Sequence, residues 1–465
     1  MRKNRQRGNW MIVAYAYAAV MMGGFSHKVW SEDMTMPTSA LEQRVNQLDQ
    51  QVKSLQLQVQ SGQASPVVSP SNGGQVVSGT DGFGLKSSDG NFSFQLHGLL
   101  QADSRFFLDD KSNLEVNQFL VRRVRPIFTG TLYHLYSFRI TPEYASNGKV
   151  LLYDAYLDIA PWAFAKLRVG KFKPPIGAEH LQDDATLAFA ERSMTNNLSP
   201  QRDTGLQLFG DFWNGTLGYA ISVTNGVGDG NYNTLLTAPV TSDTDNNDGK
   251  EETGRITVNP FKNTDVEALK GLGVALAGSY AASDQTNPTF ATPGQITTNI
   301  YTPAGSALGE HSRLAPDLNW YYGPFGIYSE YIRSRQDWQE GTHKYTVTNS
   351  AGQVAVRYVL TGEKASTSGV KPKKVFDPSK GTWGALEVAA RYEELYLDPD
   401  NFRDGVSAVA TSIQRAQAYA FGFNWYLNNA ARFTTDYFQT TFDKGSAMGD
   451  RPNEKVVISR WQLVF

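Results

Sequence analysis

The chain has 465 residues, of which 56 are aromatic (25 Phe, 22 Tyr and 9 Trp), 42 are glycine and none is cysteine. The lack of cysteine excludes disulfide scaffolds, cysteine-ligated metal centres and thiol nucleophiles. A charged fraction of 19% is too high for a helical membrane protein, and a formal charge of −2 gives no bulk attraction for nucleic acid.

Arg2, Lys3, Arg5 and Arg7 precede an apolar run from Trp10 to Phe25 and then polar residues, the layout of a secretory signal peptide. Residues 1–31 are assigned to it, with cleavage expected after Ser31 and an uncleaved signal anchor as the alternative. Its removal leaves a mildly acidic exported chain. In residues 32–61, Leu41, Val45, Leu48, Val52, Leu55 and Val59 follow heptad spacing behind a capping box of Ser39 and Glu42. This predicts a short periplasmic coiled coil; an amphipathic helix lying on its own domain is the alternative. Residues 62–90, rich in Ser, Gly, Pro, Gln and Val, read as a flexible linker.

From residue 91 to 465, segments of about ten residues alternate apolar with polar or small side chains. Phe92, Phe94, Leu96, Leu100 and Ala102 oppose Gln95, His97, Gln101, Asp103 and Arg105. Leu151, Tyr153, Ala155, Leu157 and Ile159 are expected to face away from Asp154, Tyr156 and Asp158. A soluble sandwich or barrel and a membrane barrel both produce this pattern. Charges at alternate positions on strand after strand cannot sit in a small dry core, which favours a barrel with lipid outside and water inside. The expected fold is all-β: a closed antiparallel transmembrane β-barrel of about 16 strands, with the short coiled-coil helix ahead of it. Turn signals such as Asn214-Gly215 and Asn428-Asn429 are assigned to the periplasmic end, and the long polar stretches 226–251, 284–312 and 399–412 to the outside. Tyr133, Tyr136, Trp213, Trp320, Tyr321, Tyr322, Trp425, Tyr426 and Trp461 resemble interfacial aromatic girdles.

Several stretches together resemble the phosphate-selective porin O and P family: Arg122-Arg123-Val124-Arg125, Asp154-Ala155-Tyr156-Leu157-Asp158, Val169 to Gly177, Glu191-Arg192-Ser193, Arg202-Asp203-Thr204-Gly205, Asn424 to Asn428, and a final strand ending in Phe465. The resemblance implies a homotrimeric sixteen-stranded porin in the bacterial outer membrane, with loops folded into the lumen and basic residues along an anion path. It also implies that Phe465 is the signal read by the barrel-assembly machinery. The expected surroundings are outer-membrane lipid and lipopolysaccharide, and the expected solutes are small inorganic anions, phosphate or polyphosphate.

Anion passage through a water-filled constriction needs fixed positive charge spread over several sites, so that no single one traps the ion. Arg122 and Arg123 are neighbours and nominally face opposite sides of a strand. A β-bulge, or a place at the water interface, would bring both inward. Lys171 and Lys173 share a parity just before Pro174-Pro175, where a candidate constriction loop begins and runs to about Pro200. Arg192 and Arg202 lie in and at the exit of that loop, and Arg139 and Arg255 extend the track. For each, a salt bridge to Glu143, Asp154, Asp158, Glu191 or Asp203 is the alternative. Inward carboxylates at Asp154, Asp158, Glu387 and Glu393 keep open a general, weakly selective porin.

No enzyme chemistry is expected. Asp154 and Asp158 lie about 13 Å apart on one strand, too far for a glycosidase pair. His97, His134, His180, His311 and His343 show no zinc spacing, and no nucleophile elbow or phosphate loop occurs. No cofactor and no metal are expected. The acidic run Asp243, Asp245, Asn247, Asp248, Glu251, Glu252 reads as a solvated loop, with divalent bridging to lipopolysaccharide as the alternative. An exported soluble β-protein that binds or cleaves a polymer is the remaining competitor.

Overall fold

The computed structural model describes residue 50 and residues 74–79, 82–109, 116–146, 149–227, 229, 248–284, 288–299, 306–340, 342–403, 405 and 407–465. The expected signal peptide, the expected coiled coil apart from residue 50, and residues 62–73, 80 and 81 of the expected linker lie outside these residues.

The order begins with two short strands, β1 (Gln75–Gly79) and β2 (Gly82–Lys86). There follow β3 (Phe92–Phe107), β4 (Gln118–Leu132), β5 (Tyr136–Ser146), β6 (Lys149–Trp162), β7 (Ala165–Phe172), β8 (Asp203–Phe212), β9 (Leu217–Thr224) and β10 (Glu251–Val258). The second half comprises β11 (Leu272–Asp284), β12 (Ser306–Tyr322), β13 (Phe325–Glu340), β14 (His343–Val359), β15 (Ala385–Tyr396), β16 (Ile413–Tyr426), β17 (Ala431–Ser446), β18 (Gly449–Asp450) and β19 (Glu454–Val464). Strands β3 to β17 and β19 pair antiparallel in sequence order, and β19 returns to β3 from Val456↔Phe107 to Val464↔Leu99. Sixteen strands thus close into a barrel.

The alternation sets the two faces. On β11, Val274, Leu276 and Tyr280 are exposed on the outer wall, while Ala275, Ala277, Ser279 and Ala281 are buried on the inner one. The inner wall is strongly polar: Arg105, Arg313, Glu330, Arg391, Glu393, Asp436 and Arg460 are all buried there. Exposed leucine, phenylalanine and tyrosine outside, with buried charge inside, invert a soluble protein as a membrane barrel must.

The short turns at 133–135, 163–164, 213–216, 323–324 and 427–430 share one end with the start of β3 and the end of β19. Exposed Tyr133, Trp162, Phe164, Trp213, Tyr322, Trp383 and Trp461 ring that end. Tyr426, expected in the girdle, instead faces the lumen and donates to Glu387 Oε2 at 2.7 Å, because its parity on β16 is that of Asn424. The strand ends joined by the connections 173–202, 225–250, 285–305 and 397–412 are at the opposite end; β12 claims residues from Ser306 that were expected in a loop. Two longer connections, 259–271 and 360–384, lie at the short-turn end, contrary to the expected division.

Within the expected linker, β1 and β2 form a hairpin, and β2 pairs with β3 from Phe83↔Leu96 to Lys86↔Ser93. The alternation of Phe83 and Leu85 with glycine supports the strand, and Gly82, at φ 96°, opens β2 in a conformation that favours glycine. The hairpin continues the line of β19 along β3. Phe465 sits at the join: its carbonyl accepts from Gly98 N–H at 2.8 Å, and its ring fills the space that a side chain at Gly98 would need.

Leu276 lies on the outer wall at 53% exposure. Leu276→Arg should lower the unfolding free energy in lipid vesicles by about 2–4 kcal/mol, read by urea titration; a change under about 0.5 kcal/mol, the size of an ordinary surface substitution, would show that this face does not meet hydrocarbon.

Candidate functional site

The connection between β7 and β8 folds into the barrel. Pro174 and Pro175 end the strand; Leu187 is buried, and Ile176, Phe189, Met194 and Leu198 are buried against apolar residues of the barrel wall. Single helical turns at Ala178–Leu181 and Met194–Leu198 shape it.

Two carboxylates pin this loop to the wall. Glu191 Oε1 accepts from Arg105 at 2.6 Å, Arg122 at 2.7 Å and Arg460 at 2.8 Å, while Asp103 holds Arg460 at 2.6 Å from behind. Asp184 binds Arg125 and Arg192, and lies 3.3 Å from Arg123. Burial raises a carboxyl pKa, yet the guanidiniums of Arg122, Arg105 and Arg460 outweigh it and hold Glu191 well below the usual glutamate range. Asp184 is held down in the same way, against its burial, by Arg123, Arg192 and Arg125. Burial, with Lys173 and Arg192 close by, holds the His180 pKa well below the usual histidine range.

Arg122 and Arg123 both reach the lumen because of a bulge: Gln101 pairs with Arg123 and Ala102 with Val121, leaving Arg122 as the extra residue. A second bulge lies on β6, where Thr141 pairs with Asp154 and Pro142 with Leu152. It overturns the expected parity of Leu151 and Tyr153. Leu151 is buried, and the Tyr153 ring lies 4.4 Å from the Arg125 guanidinium and 4.6 Å from that of Arg202. These contacts are cation–π interactions.

Between the loop and the wall of β4 to β10 lies a cavity of about 350 Å³. Its lining includes Arg125, Arg139, Arg168, Lys173, Arg202 and Arg255 together with Asp154, Asp183 and Asp184. Five of the six cations are tied to carboxylates: Arg125 to Glu143 at 2.6 Å, Arg139 to Asp154 at 3.6 Å, Arg168 to Asp158 at 2.7 Å, Arg202 to Asp154 at 2.7 Å, and Arg255 to Asp317 at 2.8 Å. Lys173 Nζ instead donates to the carbonyls of His180 at 2.5 Å and Gln182 at 3.2 Å. It makes no ion pair within 4 Å among the described residues.

Of the eight basic residues expected on the path, Arg139, Lys173, Arg202 and Arg255 line this cavity, whereas Arg122, Arg123 and Arg192 are engaged in holding the loop. Lys171 is not in the lining. It stands opposite Ala155 and Thr204 on the face shared with Leu157 and Val169, since Arg168 takes the inward parity of β7. The parity that linked it to Lys173 fails because the strand ends at Phe172 and the two prolines turn Lys173 inward. Arg125 and Arg168 were missed as lining residues, although Arg125 shares Arg123's parity, which was the available signal. A Ser–His–Asp grouping also occurs at Ser334, His311 and Asp229, but Ser334 donates its proton to the carboxylate, and both Ser334 and His311 are buried. It offers no nucleophile.

Glu191→Gln leaves three buried guanidiniums without their shared carboxylate and should cost about 3–5 kcal/mol, with larger fluctuations in single-channel current. Because a depressed carboxyl stabilises above its unfolded value and loses that contribution only as pH falls through the folded one, the unmodified anchor should persist at pH 5.

The architecture has known counterparts. The chain covers 99% of the outer-membrane channel DcaP of Acinetobacter baumannii over 82% of its own length, at 11% identity and a TM-score of 0.52. It covers 100% of a loop-deleted OmpT of Vibrio cholerae over 81% of its length, at 12% identity and a TM-score of 0.50. By sequence it is 25% identical to Porin O of Pseudomonas aeruginosa over 84% of this chain and 92% of that protein. The family model for phosphate-selective porin O and P matches residues 94–465. This outer-membrane barrel, with a loop pinned inside it and a basic cavity beside the loop, belongs to the phosphate-selective porin O and P family.

Proposed function

We propose that the protein is a passive outer-membrane channel for small inorganic anions, phosphate or polyphosphate among them, and that its selective step is the cavity beside the loop. The observation that carries this reading is the lining itself, six basic side chains against three carboxylates. An entering anion loses part of its hydration there and meets guanidiniums and an ammonium in exchange. Positive sites in sequence through the cavity let it move on without a trap. No bond is made or broken, so no catalytic group or cofactor is required.

Lys173 is central to the proposal. Burial, and the positive charges of Arg192 and Arg202, hold its pKa well below the ordinary lysine range. An anion in the cavity relieves that repulsion and favours the charged ammonium. A general, weakly selective porin is the second reading, supported by the pairing of the other five cations with carboxylates.

The polar outer-wall network in which Tyr392 O–H donates to Glu394 at 2.9 Å and Gln417 donates to Glu394 at 3.0 Å is poorly suited to lipid. It supports the proposal that this wall meets other copies in a homotrimer. The packing of Phe465 at the closing seam supports its proposed recognition by the barrel-assembly machinery.

In a planar bilayer under a salt gradient, the reversal potential should report anion preference, and phosphate should compete with chloride current. Lys173→Gln should reduce anion current about fivefold, the effect of about one charge interaction near 4 Å in water. Anion current through the unmodified channel should fall as pH rises through the lowered Lys173 value, and the variant should lack that dependence. Cation passage equal to chloride would leave the pore standing and remove the preference.

A further inference from the structure

We infer that the outer wall of β12 to β14 carries a binding site for the phosphate of a lipid headgroup in the outer leaflet, built on Arg333 and Arg335. The inference rests on the membrane orientation of the barrel and is independent of the anion path in its lumen.

Both residues are exposed on β13 and alternate with inward Ile332, Ser334 and Gln336. Among the described residues, they are the arginines whose side chains make no hydrogen bond, ion pair or ring contact; every other described arginine has a partner. Two adjacent guanidiniums left unpaired on a lipid-facing wall require an explanation, since arginine there is costly at the midplane and becomes tolerable near the interface.

Their depth supplies it. From Phe325, beside the aromatic ring at the short-turn end, Arg333 lies about 26 Å along the strand. With the usual strand tilt it stands about 20 Å above that ring, and Arg335 about 25 Å above it, at the upper edge of an apolar band about 25 Å tall. Below them, Leu318, Tyr331, Val354 and Val356 are exposed, as a lipid-facing belt should be. At their own level the cross-strand partners change to Ser312, Thr348 and Ser350. Arg335 stands between Ser312 and Thr348, and Arg333 between Leu314 and Ser350. Hydroxyl residues across the strands from two guanidiniums on one face, at headgroup height, match an oxyanion with several acceptor oxygens. Asp337 is already engaged by Thr346 at 2.8 Å, one step farther out.

The test uses the full chain in phosphatidylcholine nanodiscs doped with diphosphoryl lipid A, with co-purifying lipid read by native mass spectrometry. The unmodified protein should retain lipid A selectively over its dephosphorylated form. Arg333→Gln combined with Arg335→Gln should weaken retention at least about tenfold, given roughly one interaction per basic residue near a charged surface. The Arg333→Lys, Arg335→Lys pair should keep much of it. Single-channel conductance and the heat-shift of the folded barrel should be unchanged in both, which separates this site from the pore and from misfolding. Equal retention by the glutamine variant would overturn the inference. So would displacement of the lipid by inorganic phosphate at the same concentration, which would mark a soluble-anion site. Loss of oligomer with lipid retention intact would also overturn it, marking a subunit contact.

Discussion

Hydrocarbon offers no hydrogen-bond partner to a peptide group, and the architecture follows from that deficit. A sheet in lipid cannot keep an open edge, so the pairing of β19 with β3 is the contact on which the other strands depend. The seam is completed by two separate pieces of chain. Beyond Phe465 the edge of β3 is covered by β2, so the N-terminal hairpin extends the line that the last strand begins. Gly98 is needed here because the Phe465 ring occupies the place of its missing side chain.

Closure creates the second constraint. Inward side chains are enclosed, and charge within must be neutralised locally. The loop between β7 and β8 meets this need by bringing Glu191 and Asp184 to arginines from β3, β4 and β19. A buried pair is weak support for stability, but a carboxylate shared among three guanidiniums fixes one position for the loop. On its other side the loop buries Ile176, Met194 and Leu198 among apolar residues of the wall. What remains between the loop and β4 to β10 is a cavity lined by six basic side chains, five of them paired with carboxylates. The anchoring of the loop and the chemistry of the passage therefore draw on the same arginine-rich wall, with Asp184 touching both.

Parity reasoning reads a barrel well until a strand bulges or ends. The inward set on β3 was visible as alternation, as were the inward carboxylates Glu387 and Glu393 of β15 and the inward direction of Arg139 and Arg255. Arg122 and Tyr153 were ambiguous or misread because each is an added residue opposite a single partner, and one such residue reverses every side chain on one side of it. Lys171 was misread for the opposite reason: the strand stopped before the pattern did. The lipid-side arginines of β13 carried no motif and gained meaning only once their depth and their lack of partners could be measured.

The amino-acid sequence by itself determined an all-β chain whose strands repeat with a period of two and carry charge on one side, which favours a barrel with a charged lumen over a small dry core; the closure of β19 on β3 decided between the two. The sequence also singled out 174–200 as the segment to enter the lumen, through its two prolines and its position after a strand. Which cations hold the loop and which line the cavity was decided only by tertiary structure. The distinction depends on carboxylates 60 or more residues away in sequence, such as Glu191 for Arg122 and Asp317 for Arg255, and no local pattern encodes the distance between them.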